Sequence, residues 1–120
     1  MWARVLGEHA RLADADVAPL VADTGWVRFE DGATRVVVFA LGTRIVILEL
    51  NRSAGSLRLD GLLKPPPADG SSVTARSGAE SVAATLAGRF VFSNLEPGAF
   101  SLHAVGWGDG PGLTTEWTTL

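Results

Sequence analysis

The chain has 120 residues, a formal net charge of −3 and no cysteine. That length suits one domain able to bury a core unaided. The missing thiols exclude disulfides, cysteine-ligated zinc, iron–sulfur clusters and thiol nucleophiles. The acidic balance argues against a surface that grips nucleic acid through its phosphates.

Residues 2 to 22 are the one stretch with helical periodicity. Val5, Leu6, His9, Leu12, Val17, Leu20 and Val21 approximate an apolar stripe, interrupted at Pro19. Asp14 or Asp16 would cap a second short helix that Val17-Ala18-Pro19 opens. The expected division is therefore a helical segment over residues 1–22 and a β-sandwich over 23–120. Charges fall every few residues between Met1 and His9, so no secretory apolar run is present. The longest apolar run, Val36 to Leu41, is too short to span a bilayer. The expectation is a cytoplasmic protein with no membrane or nucleic-acid partner.

From Trp26 the pattern is strand and turn. Trp26 to Glu30 alternates, Asp31-Gly32 signals a hairpin, and Thr34 to Ala40 is rich in β-branched residues. After Gly42, Arg44 to Leu50 is apolar on both faces, which predicts a central strand covered on both sides. Ser56 to Leu63 alternates with Leu57, Leu59 and either Leu62 or Leu63 inward. Lys64-Pro65-Pro66-Pro67 is a stiff loop that cannot be an interior strand. Ser72 to Arg76 and Ser81 to Leu86, shorter and less apolar, read as edge strands. Arg89 to Ser93 and the strand from Ala99 flank a turn at Glu96-Pro97-Gly98, and Phe90, Phe92, Phe100, Leu102 and Ala104 supply one apolar face. Gly98, following Pro97, is expected at positive φ. A glycine-rich turn from Gly106 to Gly112 precedes a closing strand from Leu113 to Leu120. Strands at roughly ten-residue intervals predict an antiparallel sandwich or barrel.

Leu57-x-Leu59-x-Gly61-x-Leu63 with Pro65-Pro66, the short Val73-x-Ala75 strand, and Gly88-Arg89-Phe90-x-Phe92-x-x-Leu95-x-Pro97-Gly98-x-Phe100-x-Leu102 together resemble the carboxypeptidase regulatory-like domain. The resemblance implies an all-β, prealbumin-like (transthyretin-like) antiparallel sandwich, here with a short N-terminal helical extension. Residues 24 to 120 are also similar to a group of uncharacterised proteins from high-GC bacteria. Those proteins tend to be encoded beside sigma factors and caspase-like (CHAT) proteases, which implies a protein partner from such a system. Leu86-Ala87 stands where an acidic residue often precedes the Gly-Arg-Phe turn. One branch of the fold hydrolyses 5-hydroxyisourate and needs a C-terminal Tyr-Arg-Gly-Ser. This chain has no tyrosine and ends Trp117-Thr118-Thr119-Leu120, so that activity is not implied.

The candidates for chemistry are few. His9 and His103 have no third ligand within reach in the sequence, which makes a poor metal site. No Gly-x-Ser-x-Gly elbow occurs. Glu30-Asp31 and Asp14/Asp16 fall at turn or helix-start positions rather than in a cleft. The Gly106 to Gly112 turn lacks the lysine and the strand–helix context of a phosphate loop. The expected function is a non-enzymatic protein-interaction module with no cofactor. The alternative is a carbohydrate- or small-ligand-binding accessory domain using Trp26, Trp107 or Trp117. Candidate partner-binding residues are Trp2, Val5, Leu6, His9 and Leu12 of the N-terminal stripe, together with Trp107. A second copy of the chain would satisfy the same stripe.

Overall fold

The computed structural model describes residues 15–67, 71–76, 80–107 and 112–120, and these are all strand and turn. In chain order the strands are β1 (Ala15–Ala18), β2 (Leu20–Asp23), β3 (Val27–Phe29), β4 (Gly32–Leu41), β5 (Arg44–Ser53) and β6 (Ser56–Lys64). They continue with β7 (Ser71–Ala75), β8 (Glu80–Ala84), β9 (Arg89–Phe92), β10 (Ala99–Phe100), β11 (Leu102–Val105), β12 (Gly112–Thr115) and β13 (Thr118–Thr119). One sheet has the order β1-β12-β11-β7-β8, the other β2-β4-β5-β6-β9, and β10 pairs with β13 in a short ribbon. The short β3 follows β2 along the same edge of β4. Among the described residues no helix is long and apolar enough to cross a membrane.

Strict alternation sends every second side chain to one core between the sheets. Val37 and Phe39 of β4, Val46, Leu48 and Leu50 of β5, and Leu59 and Leu63 of β6 meet Val73, Leu102, Ala104 and Leu113 from the other sheet. Each large side chain removed from water here contributes about 1.5–3 kcal/mol. Phe90, Phe92, Phe100 and Leu102 are all buried in that core, as the alternation predicts. Phe90 and Phe92 meet edge to face at 6.1 Å between ring centroids. Gly98 has φ +130°, the positive value expected after Pro97.

Gly61 is required by a close approach. It is the register partner of Phe90, whose ring atoms fill the space a side chain at residue 61 would take. A Cβ at residue 61 would sit 2.1 Å from the ring.

Three sequence expectations are corrected. First, residues 15 to 22 are not helical. β1 and β2 are strands separated only by Pro19, which has no N–H to give a helix or a ladder. At Pro19 the chain leaves one sheet and enters the other, so the boundary expected at residue 22 falls inside β2. The carbonyl of Pro19 accepts from the Ala40 N–H, and that of Ala18 from Glu116. The Leu20 N–H donates to the Glu116 carboxylate at 2.6 Å. β1 pairs with β12 in parallel, an exception to the antiparallel plan. Second, β7 is an interior strand between β11 and β8; its small residues let it sit there, with Val73 and Ala75 inward. Third, β5 is central but, among the described residues, the core covers one face of it only. Ile45 and Ile47 on the opposite face are half-buried.

Gly61→Ala is expected to cost roughly 1–3 kcal/mol through its clash with the Phe90 ring. Adding Phe90→Leu should cost less than the sum of the two single changes, because the residues share one space; denaturant melts of the four proteins measure this. Deleting residues 1–22 removes β1 and nearly all of β2, and leaves the β12 and β4 edges bare. Its melting temperature should fall far below that of a chain lacking residues 1–14 only.

Candidate interaction site

The first candidate is the outer face of the six-stranded sheet. Register places Val38, Ile47 and Leu62 side by side on β4, β5 and β6. Ala40 and Ile45 extend this patch on one side and Val36 on the other, all of them half-buried. Val91 on β9 adds an apolar side chain that is 39% exposed. Charges border the patch. Glu49 and Asp60 face each other across β5 and β6, a repulsive pairing. Arg58 offsets it by a two-pronged contact with Asp60, at 3.1 Å from Nε and 3.0 Å from Nη2. Arg89 ends the row of Leu62, and Lys64 lies opposite Ile45.

The second candidate is the end of the sandwich beside the β3–β4 and β5–β6 turns. Arg28, Ala33, Arg52 and Leu57 form one row across β3, β4, β5 and β6. Ala33 and Leu57 are buried, so the row lies on the inner face and brings two arginines into the mouth of the core. One step deeper on β4, Arg35 also points inward. Its Nε and Nη2 donate to the Asp23 carboxylate at 2.9 and 2.6 Å, and its Nη1 donates to the Thr119 carbonyl at 2.7 Å. Trp26 lies between Arg35 and Arg52, whose guanidinium carbons are 5.9 and 4.3 Å from its ring centroid. The Arg35 hydrogen bonds hold the Asp23 carboxyl below its usual value against the opposing effect of burial, and Gly25 N–H assists. Arg35 is raised by the same contact. A cleft of about 540 Å³ opens here, lined by the row above, by the turns and by Pro97. Phe29 stands at its side, 63% exposed.

Trp2, Val5, Leu6, His9 and Leu12 lie outside the described residues. Trp107, expected as a partner contact, is instead part of the core at 3% exposure. Its indole N–H donates to the Pro65 carbonyl at 2.7 Å, which ties the end of β11 to the proline loop. The flanking glycines suggested a free loop, but a large apolar ring with a satisfied N–H gains more inside. Trp117 is about half exposed, with the Arg76 guanidinium 4.9 Å from its ring centroid. His103 points outward on β11, its Nδ1 2.8 Å from the Thr114 hydroxyl. The buried hydroxyls serve the backbone: Ser101 donates to the Thr115 carbonyl, and Thr115 accepts from the Leu102 N–H. No three His, Asp or Glu side chains converge to hold a metal among the described residues.

Sequence reasoning passed over Arg28, Arg35 and Arg52. Their parity was visible: Ala33-x-Arg35-x-Val37-x-Phe39 puts Arg35 on the buried side of β4. Comparison of the chain with family models, curated proteins and solved structures finds no match in any of the three.

Asp23 supplies a test by pH. Folding lowers its pKa, so the pair stabilises the fold above the ordinary carboxylate value of about 3.9. That contribution is lost as pH falls through the lower folded-state value. Asp23→Asn should cost about 1–3 kcal/mol at neutral pH. The wild-type and variant melting temperatures should then converge as pH falls below the ordinary carboxylate value.

Proposed function

We propose that the chain is a prealbumin-like sandwich that acts as a non-enzymatic protein-interaction module, with the outer face of the six-stranded sheet as its contact surface. The observation that carries this is the Val38–Ile47–Leu62 row with its apolar neighbours. β5 is apolar on both faces, and the core accounts for one of them. Covering the other with a partner would contribute about 1.5–3 kcal/mol for each large side chain fully buried. The charged border at Glu49, Asp60, Lys64 and Arg89 would set the orientation, as polar rims do. The prealbumin-like assignment rests on the Gly61, Gly88-Arg89-Phe90 and Pro97-Gly98 pattern. The same resemblance supports a cytoplasmic bacterial setting with a sigma-factor- or CHAT-protease-linked partner. A carbohydrate platform has less support. Trp107 is buried and Trp26 is flanked by two arginines, which leaves Trp117 as the one indole with an open face among the described residues.

Ile47→Lys tests the proposal. The side chain points away from the core, so the melting temperature should change little, by the equivalent of about 0.5 kcal/mol or less. Association, with a second copy or with a protein retained from native lysate, should be lost. Identical sedimentation and pull-down profiles for wild type and variant would reject this face as the contact surface.

A further inference from the structure

We infer that the cleft at the β3–β4 end is a second recognition site, built to take the carboxylate of an acidic peptide segment between Arg28 and Arg52. The two arginines sit two strands apart on one inner row, with Ala33 between them. Strands are about 4.8 Å apart, so the Cα atoms of this pair are separated by roughly 10 Å. Ala33 is the small residue of the row and leaves the space between the two long side chains open. Among the described residues neither arginine is paired with a carboxylate. Asp23 and Asp60, the carboxylates bonded to arginine there, are held by Arg35 and Arg58. Trp26 holds Arg52 at the cleft, with the guanidinium carbon over the indole ring at 4.3 Å from its centroid.

The rest of the cleft sets the ligand class. Leu57 and Pro97 line the cleft with apolar surface, and Phe29 stands exposed at its rim. A carboxylate next to an apolar side chain matches both features, and planar carboxylates suit the guanidinium fork. Glu30 and Asp31 occupy the turn at the rim, and neither pairs with the two arginines. They disfavour a bare polyanion and favour a peptide that carries its negative charge at one point. The volume of about 540 Å³ suits a few residues of chain. This inference rests on the interaction-module proposal and adds to it the chemistry of the partner.

The test uses the full chain, labelled with ¹⁵N, and two synthetic probes: acetyl-Gly-Glu-Phe-Gly-amide and its Gln analogue, acetyl-Gly-Gln-Phe-Gly-amide. Inorganic phosphate forms a third arm. The expected result is a saturable shift of the Trp26 indole N–H and the Arg52 Nε–H resonances with the Glu peptide. That shift should weaken steeply with added salt and be at least tenfold weaker with the Gln peptide. In the Arg28→Gln/Arg52→Gln variant, shown to be folded by its amide spectrum, affinity should fall at least tenfold. Equal shifts from both peptides, no shift at millimolar peptide, or unchanged affinity in the variant would each overturn the inference. Phosphate that binds as tightly as the Glu peptide would also overturn it, because the site would then recognise any oxyanion. Ile47→Lys should leave peptide binding intact. Loss of the peptide signal with Ile47-dependent association preserved would reject this cleft alone.

Discussion

A two-layer sandwich has one interior, so each sheet can turn only one of its faces into it. Every other feature of this molecule follows from how the chain meets that limit. β6 comes close to obeying it, with Leu57, Leu59 and Leu63 inward, Arg58 and Asp60 outward, and Leu62 as its apolar outward residue. β4 and β5 do not, because Val36, Val38, Ile45 and Ile47 make their outer faces apolar as well. Packing among the described residues covers that excess only in part. The excess lies on the two longest strands, at the centre of the sheet, where a flat partner surface would have the most area to cover.

The inner face breaks the rule in the opposite sense. Arg35 places a charge where the strand pattern calls for an apolar residue. The charge is tolerated because its guanidinium has Asp23 on one side and the Thr119 carbonyl on another. In satisfying itself Arg35 connects β4 to β2 and to β13, elements far apart in sequence. It also gives the end of the core a polar lining. Among the described residues Arg28 and Arg52 share that lining without a comparable partner, which makes this mouth chemically distinct from the rest of the interior.

Much of the fold was legible because period-two alternation is a local signal. The phases of Phe90, Phe92, Phe100 and Leu102 came directly from it, and the Pro97-Gly98 turn signal, also local, gave the positive φ of Gly98. What escaped was set by contacts distant in sequence. Val17 and Val21 fit a helical stripe as well as a strand, and only pairing with β12 and β4 decides between them. Trp107 looked like a loop residue because its receptor, the Pro65 carbonyl, lies 42 residues away. The interior place of β7 came from two flanking strands that no local pattern names. The arginines at the core mouth were missed for a different reason: the parity was readable, but charge was taken to mean solvent.

The parallel pairing of β1 with β12 has a mechanical meaning. Both strands run in the same direction, and the register aligns Ala15 with Gly112 and Ala18 with Thr115. Tension applied between Ala15 and Thr115 therefore pulls the two strands past one another along their length. The ladder is loaded in shear, with its hydrogen bonds sharing the force, rather than peeled one bond at a time. Pro19 then passes any remaining load into β2 and the opposite sheet.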